Sequence, residues 1–413
     1  MRHRSLVLSL LAMLLALATV LPIPARADDS SKVTIRCDKN KTITDALAQH
    51  QGGPLTVEIT GTCFEHVTVS RSGVTLKASS PGAAIQGPDS TKDTLTVTAD
   101  RFVLDGLMVN GGRNAIVVTG ASQAQLRNCT ALTNGSGTPG VILDGIGILF
   151  SQGASGSVDS CTSSGNRADG IFLDAAIVTI TNSRLEKNGR NGVFVFGAST
   201  GRIGFSNAFV PGANIISGNG ANGIHVTQNS LALIFGNTVT GNGTNPSSPL
   251  GRFGVLLFQS RADLIGGNTI SGNSGWGIFL TESTAMIGDA GFGLPFANTI
   301  SGNSTAGQTV FGPPAGIFIG LASAAVLRSA TVDTNTGAGV LLADRSTLVV
   351  NGSTVTHNSI NGIQLGQGSM AIFRPSPLSN ISGNTGTDLK CLDAESTFTG
   401  PLADSPTTNC TGF

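Results

Sequence analysis

Asn219-Gly220-Ala221-Asn222-Gly223-Ile224-His225-Val226 states the rule by which this chain is built. An Asn is followed four residues later by Gly, then by Ile or Val, any residue, and another aliphatic. The phrase returns at Asn166…Gly170-Ile171-Phe172-Leu173, at Asn188…Gly192-Val193-Phe194-Val195 and at Asn273…Gly277-Ile278-Phe279-Leu280. Further copies open at Asn335 and Asn358. Gly147, Gly170 and Gly192 are spaced 23 and 22 residues apart, and Gly316, Gly339 and Gly362 are 23 apart. Self-similarity at a period of about 20–50 residues marks a stack of like units, each burying its apolar face against the next.

Counting back five from each phrase Asn gives Cys129, Cys161, Ser183, Asn214, Asn237, Asn268, Asn298, Ala330, Ser353 and Ser379. This column is small and mostly polar, so successive units turn at the same places. Asn side chains hydrogen-bond turn backbone and each other, which suits them to such corners. Between corners each unit reads as three short strands, for example Gly223–Val226, Leu231–Ile234 and Thr238–Thr240. Alternation points Ile224 and Val226 inward and His225 and Thr227 outward. Some thirteen units at about 4.8 Å each make a rod of roughly 60 Å.

The phrases Ala297-Asn298-Thr299-Ile300-Ser301-Gly302-Asn303 and Ala213-Asn214-Ile215-Ile216-Ser217-Gly218-Asn219 carry a resemblance. They are similar to the short repeats of right-handed parallel β-helix proteins in the pectin-lyase-like superfamily, over about residues 33 to 385. The expected fold is a single all-β right-handed parallel β-helix. The resemblance is specific for fold and not for chemistry, because that superfamily includes lyases, hydrolases, epimerases, adhesins and phage fibres.

Residues 28–62 read as an N-terminal cap, 63–385 as the coil and 386–413 as a C-terminal cap. Ile43, Ala46 and Leu47 fall on one face of a short helix with Thr42 or Thr44 as its cap. A solenoid needs such an element to close its open core. Met1-Arg2-His3-Arg4, the apolar run Leu6–Leu21 and Ala25-Arg26-Ala27 have the order of a secretory signal peptide cleaved after Ala27. A retained membrane anchor is the alternative. The expected location is secreted or periplasmic, with no membrane contact after cleavage.

The six cysteines, Cys37, Cys63, Cys129, Cys161, Cys391 and Cys410, are an even set in an exported chain, which suggests disulfides. Cys37 and Cys63 bracket the cap helix. Cys391 and Cys410 would close the tail. Cys129 and Cys161 share a column on adjacent units, where stacking alone brings their Cα atoms near ~5 Å. They are either a disulfide or two stacked thiols.

Charge is balanced at 24 basic and 24 acidic residues, and charged residues make up 12%. No basic patch points to nucleic acid. No C-x-x-C spacing, stacked acidic cluster or phosphate loop points to a metal or cofactor. Tyr is absent and Trp occurs once, which disfavours a sugar-stacking enzyme.

In the superfamily, the outer face of the first strand floors a groove walled by loops. By that resemblance the floor is Leu149, Phe172, Phe194, His225, Leu256, Phe279, Phe318, Leu341 and Gln364. Insertions at 135–146, 197–213, 243–253, 283–297 and 304–315 flank it. The apolar stripe is either a binding face or a surface those insertions cover. Phe172, Phe194, Phe258, Trp276, Phe279 and Phe318 are the expected ligand-contacting rings. The ionisable candidates are Asp169, Asp174 and His225, with His225 as general base. Asp169 and Asp174 are five residues apart, or ~16 Å along a strand. A glycosidase pair needs roughly 5–10 Å. Asp144 and Arg167 fit an edge ion pair. The signatures of polygalacturonases and alginate epimerases do not occur. The expected function is therefore a monomeric exported scaffold or binding protein for a polysaccharide or surface partner. A polysaccharide lyase, glycoside hydrolase or epimerase with a reduced site is the alternative.

Overall fold

The computed structural model describes residues 31–39, 41–135, 143–205, 211–248, 251–288, 297–304 and 313–410. The leader Met1–Ala27 lies outside the described residues. Three parallel sheets of 15, 13 and 13 strands run the length of the chain, and each coil gives one strand to each. We call them sheet I (the Gly-Ile phrases, such as Ile224–Thr227), sheet II (such as Leu231–Phe235) and sheet III (such as Thr238–Thr240).

Register does not drift. In sheet I, Val193 pairs with Ile224, Ile224 with Val255, Val255 with Ile278, and Ile278 with Ile317. A slip of one residue would turn every inward aliphatic to the outside, so the apolar columns themselves hold the alignment. Ile224, Val226, Ala232, Ile234 and Val239 are fully buried in one continuous core.

The phrase Asn column forms a hydrogen-bond ladder. Asn219 donates its backbone N–H (3.1 Å) and its Nδ2 (2.9 Å) to Oδ1 of Asn242. Asn242 repeats both bonds to Asn273, each at 3.0 Å. The second nitrogen proton goes back into the coil, as from Asn242 Nδ2 to Ile216 O at 3.1 Å. The column five residues earlier behaves alike, Asn214 Nδ2 donating to Asn237 Oδ1 at 2.9 Å. A third corner ladder is made of serines that follow the phrase glycine by six or seven residues, a column the Asn-Gly phrase overshadows. There Ser283 N donates to Ser323 Oγ (3.1 Å) and Ser323 N to Ser346 Oγ (3.2 Å).

This ladder explains the phrase glycine. A Cβ on Gly223 would lie 2.4 Å from Val239 Cγ1, 2.7 Å from Gly254 O and 2.9 Å from Asn242 Nδ2. The same clash recurs at Gly170 against Asn188 Nδ2 at 2.7 Å. Glycine is required here by close approach, not by backbone dihedral.

The helix α1 (Ile43–Gln49) covers the N-terminal end, burying Ile43 and Ala46 with Leu47 half-buried. Thr42 is its N-cap and accepts from Asp45 N at 3.0 Å. Glu65 adds a second cap, its carboxylate accepting from Ile43 N (2.7 Å) and Thr44 N (3.1 Å). Both ends read as caps also contain coil strands. Ser31–Arg36 pairs with Leu55–Thr60, and Leu389–Cys391 with Ile363–Leu365. Disulfides join Cys37 to Cys63, Cys129 to Cys161 and Cys391 to Cys410, with Cα separations of 5.0, 4.5 and 5.2 Å. Such bonds persist in oxidising compartments, so the chain is extracytoplasmic.

Asn242→Ala should orphan the Asn219 backbone N–H and one proton of Asn219 Nδ2 and cost about 1–3 kcal/mol for each group left unpaired. Gly223→Ala should cost a similar amount, about 1–3 kcal/mol, by overpacking. Urea unfolding followed by circular dichroism checks both. An unchanged midpoint would contradict the ladder's structural role.

Candidate functional site

The outer face of sheet I carries the expected column in register, from Leu149 through Phe172, Phe194, His225, Leu256, Phe279 and Phe318 to Leu341 and Gln364. Stacking at strand spacing turns it into ladders of rings. Phe172 stacks on Phe194 at 4.7 Å and 17°, and Phe194 on His225 at 4.6 Å and 18°. Phe279 stacks on Phe318 at 4.9 Å and 10°. The column is not an open stripe. None of its members is more than 9% exposed, and each ring's faces are taken by its neighbours.

A second column reinforces it. The residue before the phrase glycine is Asp169, Asn191 and Asn222 in the earlier coils, then Phe253 and Trp276. The first three form a polar ladder, Asn222 Nδ2 donating to Asn191 Oδ1 at 3.0 Å and Asn191 Nδ2 to Asp169 Oδ1 at 2.8 Å. Phe253 and Trp276 replace it with rings that stack beside Phe279 and Phe318 at 4.9 to 5.1 Å. Trp276 is fully buried and donates Nε1–H to Pro313 O at 3.1 Å. It therefore belongs to the wall of the site and is not presented to a ligand, contrary to the sequence expectation.

The ionisable candidates are not brought together. Asp169 is buried, ion-paired with Arg190 and bonded by Asn191 N at 3.0 Å, so it serves the corner. Asp174 is half-buried on the same outer face as Phe172, at the far end of the strand from Asp169 and in register with Phe196. His225 lies in line with Phe194, two coils on from Phe172. Phe194 and Phe196 pack between Asp174 and His225. Burial, with a smaller push from Arg190, lowers the His225 imidazole to about 3. The ring is thus neutral and a weak base at physiological pH. Asp144 and Arg167 do form the edge ion pair, at 2.9 Å.

A cleft of about 540 Å³ opens on this face. His225, Leu256, Phe279 and Phe318 floor it, and Phe253, Phe258, Thr281, Leu321, Asp344 and Gly251 surround them. Phe258 (38% exposed) and Leu321 (48%) stand at its rim. Phe253 and Thr281 escaped the sequence reading although both had a signal. Phe253 shares the position of Trp276, and Thr281 lies two residues after Phe279 on the same strand face. Leu321 and Asp344 come from turns with no periodic mark.

With this geometry in view, comparison with known proteins is direct. A family model described as right handed beta helix region matches residues 27–212 and 175–386. The chain belongs to that family. A search of curated proteins returned no match. Among solved structures, the Dettilon tailspike protein (gp208) is 15% identical, covering 88% of this chain and 70% of that one, at a TM-score of 0.51. A point mutant of the periplasmic alginate epimerase AlgG is 14% identical over 88% of this chain and 84% of that one, at 0.50. The Azotobacter vinelandii mannuronan C-5 epimerase AlgE6 A-module is 15% identical over 87% and 94%, at 0.47. At such identities the likeness is one of fold, a right-handed β-helix.

The buried imidazole has a measurable consequence. The unfolded chain protonates it below about pH 6.5 and the folded chain only near pH 3. Stability from this group is whole above 6.5 and falls as pH drops through that window, by about 1.4 kcal/mol per unit. His225→Phe keeps a ring on Phe194 and should flatten this part of the slope. Urea unfolding at pH 7 and pH 5 checks it, and an equal loss in both proteins would show that His225 is not the group.

Proposed function

We propose that this β-helix is an exported binding protein that holds its ligand on the outer face of sheet I without transforming it. Its leader is Met1–Ala27, cleaved after Ala27, and the final compartment is the periplasm or the exterior. The observation that carries the reading is the state of His225. General acid–base catalysis needs a group that titrates near the working pH within reach of the reacting proton. His225 is depressed to about 3 and packed against Phe194. Asp169 is held by Arg190 and Asn191. What remains on the face is an apolar cleft with a hydrophobic rim, the ordinary form of a binding site. The surface continues from Phe318 past Leu341 and Gln364 to Leu392, which suits an extended glycan or a surface partner.

The enzyme reading rests on Asp174, whose carboxylate has no hydrogen bond or ion pair among the described residues. It is a half-buried acid on the groove side and fits a reduced lyase, hydrolase or epimerase site.

Incubation with a panel of uronic and neutral glycans decides between the two. The expected outcome is no new reducing end, no unsaturated product and no epimerised residue. Product formation that disappears in Asp174→Ala would establish the enzyme instead. Ligand retention, where found, should be lost in Phe258→Glu combined with Leu321→Glu, since both side chains are exposed and their replacement spares the core.

A further inference from the structure

The cleft at His225–Phe318 is more particular than a general binding face. Its volume of about 540 Å³ falls within the range of sites that enclose a small molecule, about 300–1,000 Å³. Its floor is apolar, but two of its lining residues, His225 and Thr281, each carry a polar atom without a partner just beneath the surface. His225 Nδ1 and Thr281 Oγ1 are buried and make no hydrogen bond, and both residues are 7% exposed. A buried polar atom left unsatisfied costs about 1–3 kcal/mol, which a ligand group bonded to it would recover.

The register sets the distance between these two anchors. His225 pairs with Leu256, and Leu256 with Phe279, the strand that carries Thr281. They are two coils and two residues apart, roughly 12 Å when strand spacing and rise are combined. Between them lie Leu256, Phe258 and Phe279. A sugar chain is poorly suited to this floor. The faces that Phe253, Phe279 and Phe318 turn to one another are occupied at 4.9 Å, so the floor rings are not laid flat under a pyranose, and only Phe258 at the rim is exposed. Each hydroxyl moved into an apolar cleft without a partner costs about 1–3 kcal/mol, and a sugar carries several per residue. Asp344 at the rim repels an anion.

We infer that this cleft binds a small, uncharged, mainly apolar molecule with a hydrogen-bonding group toward each end, spaced to meet His225 and Thr281. The inference rests on the binding-protein reading and names its ligand class. The occupant is a discrete organic molecule, and a glycan is the alternative that the experiment separates.

The chain supplies its own reporter. It has one Trp and no Tyr, so its emission comes from Trp276, which stacks on Phe253, Phe279 and Phe318 beside the cleft. The test titrates the disulfide-bonded mature chain with prodan, an uncharged naphthyl ketone bearing a dialkylamino group at its far end. The expected result is saturable quenching of Trp276 with a blue shift of prodan, and displacement by α,ω-octanediol. Phe258→Glu with Leu321→Glu should weaken prodan at least ~10-fold, about 1.4 kcal/mol, with an unchanged circular dichroism spectrum. Thr281→Val removes only the hydroxyl and should weaken octanediol about 5-fold, as expected for one hydrogen bond. Absence of saturable quenching, or quenching unaltered in the rim variant, would overturn the inference. Displacement of prodan by galacturonate or mannuronate oligomers at lower concentration than octanediol would overturn the ligand class while leaving a binding protein. Glycan turnover would instead remove the binding-protein reading beneath it.

Discussion

Each coil passes one carboxamide to the next. Asn188 donates twice to Asn219, Asn219 to Asn242, and Asn242 to Asn273, every bond between 2.9 and 3.1 Å. A β-arc must bend its backbone inside a closed core, where water cannot satisfy the freed N–H and C=O groups. The Asn side chain has two donors and an acceptor on a short stem, enough to serve the bend in its own coil and the one below. The geometry leaves no room for a side chain four residues on, so the phrase glycine follows from the same bonds. Period, register and the position of sheet I all descend from this arrangement.

Holding the coils in strict register has an effect on the outside as well. Any residue repeated at one position becomes a continuous stack, whatever its chemistry. Four aromatic rings at successive or adjacent positions, Phe253, Trp276, Phe279 and Phe318, convert part of the outer face into a second, smaller core. A similar cluster forms at Leu149, Phe172 and Phe194. His225 stands between the two. It is stacked on Phe194 on one side and open to the cleft on the other, and the same burial that positions it removes its basicity.

The disulfides sit where the ladder is weakest. Cys129 and Cys161 occupy the column that holds Asn in the central coils, and Cys129 N still donates to Cys161 Sγ at 3.2 Å. Cys37–Cys63 and Cys391–Cys410 tie the two ends, where a strand has a neighbour on one side only. The end coils run further than the repeat phrase suggests because strand pairing needs backbone geometry rather than the Asn-Gly signature. Leu389–Cys391 and Thr397–Thr399 extend their sheets without it.

The amino-acid sequence by itself determined the coil, its period, its inward aliphatics and two of its three corners. Those features repeat, and repetition at fixed spacing survives in one dimension. The serine corner holds its place, as from Gly277 to Ser283 and from Gly316 to Ser323, but Ser is common in turns and has no flanking signature, so the column does not stand out as the Asn-Gly phrase does. Tertiary structure alone decided which outward residues are open. Exposure depends on neighbours one and two coils away, about 5 and 10 Å in space, although a single coil already takes 23 to 40 residues of sequence. That is why Phe172, Phe194 and Trp276 became buried stacking partners, while Phe258 and Leu321 were left at the mouth of a cleft.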